Sequence, residues 1–172
     1  MKKYDDVMMK TAELWAEKSK CIRRKVGAVI AKENNIISVG YNGTPKGFKR
    51  NTKFDCEDEI KVCPSCNFYN AKNEEVCRNC GYNINDIEPE LRTRHDLVIH
   101  AELNAILNAA ELGHSTKNAT IYVTTLPCSN CAIAIAQAGI KRVVYKNIYK
   151  DNKSLEIFRQ LNIITEKFSD QK

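Results

Sequence analysis

His100-Ala101-Glu102 and, further along, Pro127-Cys128-Ser129-Asn130-Cys131 decide how this chain reads. One imidazole and two thiols are three ligands for a tetrahedral zinc, and a zinc site with three protein ligands keeps its fourth position for water. Zinc lowers the pKa of bound water from 15.7 to about 7, so hydroxide becomes available at neutral pH. Glu102 stands two residues from the histidine. That is near enough to carry protons to and from such a water without itself binding the metal.

The flanking residues place both motifs at helix starts. After His100 the chain reads AELNAILNAAELG, with Leu103, Ile106, Leu107 and Ala110 at helical spacing and Gly113 as the stop. Before the second motif, Thr120-Ile121-Tyr122-Val123-Thr124-Thr125 is a β-branched and aromatic run that predicts a strand. Pro127 suits the first turn of a helix, which CSNCAIAIAQAG continues to Gly139. Cys128 and Cys131 then sit at a helix N-terminus, where the macrodipole favours thiolate. The plain alternative, a buried histidine with two packing cysteines, leaves this paired context unexplained.

At 172 residues the chain has room for one domain with a proper core. Its 43% hydrophobic and 28% charged residues are those of a soluble globular protein. No apolar run approaches the ~18 residues of a membrane span, and the residues after Met1 lack the apolar stretch of a secretory signal. Six of the eight cysteines form three C-x-x-C pairs, which is metal spacing and not a disulfide framework. A reducing cytoplasm is expected. The formal charge of +6 falls to about +4 once six zinc-bound thiolates and two zinc ions are included. That balance fits a phosphate-bearing small molecule as well as it fits RNA, and a solvated surface best of all. Nucleic acid is not expected as a partner, since RNA binding calls for a continuous basic face and the charge is modest.

Residues 4–19 set Val7, Met8, Ala12, Leu14, Trp15 and Ala16 among charged positions, an amphipathic first helix. A basic segment, Ser19 to Lys25, leads into the strand Val26–Ala31; turn chemistry at residues 32–35 and the strand Ile36–Gly40 complete a hairpin. Gly40-Tyr41-Asn42-Gly43-Thr44-Pro45-Lys46-Gly47 is then a loop whose glycines would let backbone approach a ligand. From Lys49 to about Thr93 aliphatics thin out and two knuckles stand ten residues apart, Cys63-Pro64-Ser65-Cys66 and Cys77-Arg78-Asn79-Cys80 followed by Gly81. They are expected to form a closed Cys₄ structural zinc site resembling a zinc ribbon, with a redox C-x-x-C role as the alternative. For so apolar-poor a segment, metal binding supplies the ordering free energy that burial cannot. Cys21 and Cys56 are expected to pack as small hydrophobes.

In the remainder, Lys141–Tyr145 and Ile163–Phe168 read as strands around a short helix, Ser154–Gln160. A hairpin followed by strands alternating with helices predicts an α/β domain, three layers in the order α/β/α around a mixed sheet. On these residues the chain is identified as a member of the cytidine and deoxycytidylate deaminase superfamily, and it most resembles the deoxycytidylate (dCMP) deaminase branch. H-x-E with P-C-x-x-C is the zinc deaminase signature. Ser19-Lys20-Cys21-Ile22-Arg23 with Val26-Gly27-Ala28, the Gly40–Gly47 loop, Ile99–Ile106, and Tyr145 with Tyr149-Lys150 are similar to segments of that branch. The resemblance covers the chain except for roughly residues 53–92. The expected organisation is therefore one cytidine-deaminase-like catalytic domain over residues 1–172, carrying the ribbon as an insertion.

The resemblance implies hydrolytic conversion of dCMP to dUMP with Glu102 as the proton carrier. It implies a catalytic zinc on His100, Cys128 and Cys131, and the insertion adds a structural zinc on Cys63, Cys66, Cys77 and Cys80. By the same resemblance Arg23 would face the substrate phosphate, Asn42 the sugar or base, and Tyr149 the mouth of the site. It further implies a homo-oligomer, often a hexamer, activated by dCTP and inhibited by dTTP. Two rival readings are a tRNA adenosine deaminase and a non-catalytic zinc-ribbon module that binds nucleic acid or a partner. The first resembles a P-C-x-M-C motif where this chain has Ser129-Asn130, and the second has no use for Glu102.

Overall fold

The computed structural model describes residues 3–48, 56–93, 97–149 and 152–169. Strand β1 (Gly27–Lys32) sends Ala28 and Ile30 to one side and Val29 and Ala31 to the other, and all four are buried. A strand buried on both faces needs a layer on each side. Helix α1 (Asp5–Ala16) supplies one, packing Met8, Met9 and Ala12 on Val29, Ala31, Tyr122 and Val144. Helices α2 (Ala101–Glu111), α3 (Ser129–Gln137) and α4 (Lys153–Gln160) supply the other, with Ala105, Ile135 and Phe158 on Ile30, Ile121 and Val143.

The sheet between these layers is mixed. Besides β1 it holds β2 (Asn35–Tyr41), β6 (Thr120–Thr125), β7 (Arg142–Asn147) and β8 (Ile164–Lys167), in the order β2-β1-β6-β7-β8. Strand β1 runs antiparallel to β2 and β6, whereas β6, β7 and β8 are parallel, with α3 and α4 as the crossovers. The three-layer α/β/α fold expected from the sequence is present. The hairpin closes through Glu33 and Asn34 between paired Lys32 and Asn35, both at positive φ (50° and 65°), the geometry of a tight turn matched to strand twist.

Two glycines set how closely helices lie on this sheet. A Cβ on Gly27 would come within 1.9 Å of the Ala12 carbonyl oxygen, and one on Gly40 within 2.4 Å of the Ala101 oxygen and the Ala105 nitrogen. Gly40, expected from the sequence to bring backbone near a ligand, instead lets α2 settle on β2. The amphipathic faces differ from expectation for the same reason. Val7 and Leu14 of α1 and Leu107 of α2 are exposed, while Ala101, Ala105 and Ala109 form the buried side of α2. Small residues face the sheet because the contact is too close for leucine.

Residues 57–93 build a second, three-stranded antiparallel sheet, β4-β3-β5, from β3 (Glu57–Val62), β4 (Tyr69–Ala71) and β5 (Glu90–Thr93). These strands were not anticipated individually, since Glu57–Val62 opens on three consecutive acidic residues and has little β signal. The expected start of the insertion, residues 53–55, lies outside the described residues, as does Lys150 of the stretch resembling the dCMP deaminase branch. No described helix is long and apolar enough to cross a membrane.

Candidate active site

His100 is the N-cap of α2 and Cys128 the N-cap of α3; both are extended (ψ 153° and 169°), and their carbonyls accept the first helical bonds from Asn104 and Ala132. Pro127 therefore precedes the cap instead of occupying the first turn. Cys131 lies three residues into α3, on the side that returns to Cys128. His100 Nδ1 stands 3.6 Å from Cys128 Sγ and 3.4 Å from Cys131 Sγ. A tetrahedral zinc with ordinary Zn–N and Zn–S bonds needs about 3.5–3.6 Å between such atoms. The donor set fits that ion.

Proton sharing within the cluster makes the same point. The Cys128 thiol is pulled down to about 4 by a hydrogen bond from Cys131 and by the His100 imidazole, against the cost of burial. Cys131 is pushed the opposite way, by the sulfur of Cys128 and by burial. Two thiols this close cannot both ionise unless a cation joins them. Glu102 is buried, and burial pushes its carboxyl up to about 7, with its own backbone N–H and the His100 charge pulling the other way. A carboxyl poised near neutrality can both take and return a proton at physiological pH.

Helix α2 is held in place by hydrogen bonds to the edge strand. Asn104 Nδ2 donates to the Tyr41 carbonyl and Asn108 Nδ2 to that of Val39, each at 2.8 Å, and Ser38 Oγ donates to the Ala105 carbonyl at 2.6 Å. None of these three was singled out from the sequence. The available signal was two asparagines four apart, Asn104 and Asn108, on a helix made mostly of alanine, leucine and isoleucine.

His100, Glu102 and Cys128 open onto a cavity of about 170 Å³ that Arg23, Arg24, Asn42, Glu57 and Tyr149 also line. Arg23 and Tyr149 thus line the same cavity as His100 and Glu102, and the Arg24 guanidinium lies 5.1 Å from the Tyr149 ring centroid. Asn42 lines the cavity as well, but its amide is already occupied. Its Oδ1 accepts from Val26 N–H (2.8 Å) and its Nδ2 donates to the Arg24 carbonyl (2.9 Å), which splints the arginine-bearing segment.

Cys21 and Cys56 depart from expectation. They are joined in a disulfide across 35 residues, Cα to Cα 5.1 Å, which ties the segment after α1 to the foot of β3. Their meeting is a tertiary contact that spacing could not reveal. Glu57, next to Cys56, was also missed; nothing marks it within an acidic stretch.

The other cysteines gather as well. Cys63 Sγ lies 3.6 Å from Cys80 Sγ and Cys66 Sγ 3.6 Å from Cys77 Sγ, close to the ~3.8 Å edge of a tetrahedral ZnS₄ site. Both knuckles share one hydrogen-bond plan. Cys63 N–H donates to Phe68 O and Asn67 N–H to Cys63 O; Cys77 N–H donates to Tyr82 O and Gly81 N–H to Cys77 O. Asn67 and Gly81 hold matching left-handed positions, φ 57° and 74°.

The family profile described as cytidine and deoxycytidylate deaminase zinc-binding region matches residues 2–147. This chain belongs to the cytidine and deoxycytidylate deaminase family. It is 40% identical over 152 residues to the deoxycytidylate deaminase of Enterobacteria phage T4, covering 85% of this chain and 79% of that one. To the deoxycytidylate deaminase of Saccharomyces cerevisiae it is 34% identical over 167 residues, 96% of this chain but only 45% of the yeast protein's length. The crystal structure of dCMP deaminase from the cyanophage S-TIM5, in complex with dCMP and dUMP, superposes with a TM-score of 0.70 at 31% identity, covering 98% of this chain and 99% of that one.

Proposed function

We propose that this protein catalyses the hydrolytic, zinc-dependent deamination of dCMP to dUMP and ammonia. The observation that carries the reading is one cavity lined by His100 and Cys128 of a His-Cys-Cys ligand set, by a buried carboxyl near neutrality and by two arginines. His100, Cys128 and Cys131 would hold the catalytic zinc, which when bound would supply hydroxide at neutral pH by lowering the pKa of water from 15.7 to about 7. Glu102 takes one proton from the attacking water and delivers it to ring nitrogen N3. It then moves the second to the departing amine. Both water protons are thereby placed, one on the product ring and one in ammonia, and Glu102 ends as it began. Arg23 binds the phosphate, Tyr149 borders the mouth, and Asn42 acts on the nucleotide chiefly by holding residues 24–26 in place.

Cys63, Cys66, Cys77 and Cys80 hold a second, structural zinc within an insertion of about residues 53–92 in a single domain. The matched knuckles and near-tetrahedral sulfur spacing support this reading. The family resemblance extends the proposal to a cytoplasmic homo-oligomer, hexameric in form, that dCTP activates and dTTP inhibits. An aliphatic outer face, with Leu107 of α2 and Ile133 of α3 about half exposed, supports association between copies.

Ammonia release from dCMP, CMP, dCTP, deoxycytidine and a tRNA anticodon stem-loop tests the reading. The expected result is the highest kcat/KM on dCMP. Equal or better turnover of deoxycytidine or dCTP would move the assignment to another pyrimidine, and turnover of the stem-loop alone would replace it.

A further inference from the structure

Arg23 and Arg24 both line the cavity, but Arg24 has a neighbour of a different kind. Its guanidinium stands over the ring of Tyr149, 5.1 Å from the centroid, and among the described residues no carboxylate pairs with it. Both ends of this contact are fixed. On one side Asn42 Nδ2 donates to the Arg24 carbonyl (2.9 Å) and Asn42 Oδ1 accepts from Val26 N–H (2.8 Å), and Val26 packs on the main core. On the other, Tyr149 follows the end of β7 by two residues. Asn147 ties that end down, its Nδ2 donating to the Thr124 carbonyl (2.8 Å) and its own carbonyl accepting from Leu126 N–H (2.7 Å). Tyr149 packs partly on the same core.

A cation over an aromatic face is attracted by the ring's quadrupole, and the attraction strengthens as water is excluded. A nucleotide in the cavity excludes water from the residues that line it, so the contact tightens as the site fills. Placement matters here, because a misplacement of about 1 Å at the reacting carbon costs about 10²-fold. The core supports Tyr149 from one side, and Arg24 supplies the contact on the face of its ring. Resting on the deaminase reading above, we propose that Arg24 is a positioning residue: its guanidinium holds the Tyr149 ring at the cavity mouth and through that ring orients the substrate. Arg23 takes the phosphate. The two adjacent arginines thus have separate roles.

The test is a double-mutant cycle on the zinc-loaded enzyme with dCMP. Arg24→Met removes the cation while keeping much of the bulk, and should lower kcat by about 3- to 10-fold, the range for a partly desolvated cation–π contact. KM, and the calorimetric Kd of dUMP, should move by less than about twofold, because binding of the phosphate is left to Arg23. Tyr149→Phe keeps the π face, and on that background Arg24→Met should cost the same several-fold. In Tyr149→Leu it should cost nothing further. Arg24→Lys, which keeps the charge, should recover part of the loss beside tyrosine and none in Tyr149→Leu. A KM or dUMP Kd raised by about 10-fold in Arg24→Met, with kcat unchanged, would show that Arg24 grips the phosphate directly and would overturn the proposal. Equal losses from Arg24→Met in the wild-type and Tyr149→Leu backgrounds would overturn it as well. A wild-type enzyme that does not turn over dCMP overturns the deaminase reading itself, whereas turnover with an additive cycle overturns the role of Arg24 alone.

Discussion

The two cysteine-rich sites use nearly the same donors on very different foundations. His100, Cys128 and Cys131 stand on helices whose inner faces lie against a sheet buried on both sides. The four cysteines of residues 63–80 sit on a small three-stranded sheet whose buried cluster is Cys63, Cys77 and Ile84, with Cys66 and Ile87 half-buried beside it. Where burial already orders the scaffold, a metal is free to be a reagent. Where the ligands are themselves the core, the metal is part of the fold. Donor type alone does not distinguish these roles; the apolar surface behind the donors does.

The sharpest way to break this contrast is to alter each site separately. Glu102→Gln should leave the circular dichroism spectrum and zinc content unchanged while lowering kcat by about 10²–10⁴-fold. Cys128→Ser should likewise remove turnover and keep the fold. Retention of more than a tenth of wild-type turnover by Glu102→Gln would remove it as proton carrier. The second site should behave in the opposite way. Cys63→Ser should leave one zinc in place of two by elemental analysis, and hydrogen exchange should show residues 57–93 losing protection while the main sheet keeps its own. Uniform protection in that variant would mean that the small sheet folds without metal.

A smaller effect is expected where the main site meets the substrate's phosphate. Arg23→Ala should cost about 10–100-fold in kcat/KM on dCMP, since a charge-assisted bond to phosphate contributes about 1.5–3 kcal/mol. The weak activity on deoxycytidine should barely change. Equal losses on both would show that Arg23 acts through structure, as its backbone bond to Glu57 would allow.

The smallest effect is in acid and separates the two foundations once more. Arg142 makes paired bonds to Asp5 (2.8 and 2.6 Å) and to Glu166 (3.0 and 2.7 Å), joining α1, β7 and β8. The hydrogen bonds from Arg142 hold the Glu166 carboxyl below its usual value of 4.5. A depressed folded pKa contributes stability that is present above the unfolded pKa and lost as pH falls through the folded one. Glu166→Gln should therefore flatten the acid limb of the main sheet's melting temperature below about pH 4.5. It should not alter the acid loss expected of residues 57–93 from release of the zinc proposed there. Identical acid limbs in wild type and variant would show that Glu166 contributes nothing.

Much of this was legible in the chain because the signals are local. The apolar run Val26–Ala31, the β-branched and aromatic run Thr120–Thr125, the turn chemistry at residues 32–35 and the helical continuation of α3 are all readable within a few residues. Misreadings arose where a neighbour decided. Leu107 carries the apolar signal on α2, yet alanine faces the sheet because Gly40 draws the helix close. Asp5, one of the charged positions of the first helix, is fully buried against Arg142.

By itself the sequence pointed to two clusters with the spacing of metal ligands and to the layer order. Cysteines three apart at a turn or helix start share a face whatever surrounds them, and strand and helix periods follow from backbone geometry. Only the tertiary structure decided that Cys21 bonds Cys56, that Glu57 accepts the Ile22 and Arg23 N–H groups, and that Asn42 splints the arginine-bearing segment. Each is a contact between distant segments, created when the helices and the small sheet dock on the main one. No period or spacing in the chain encodes which side chains that docking brings together.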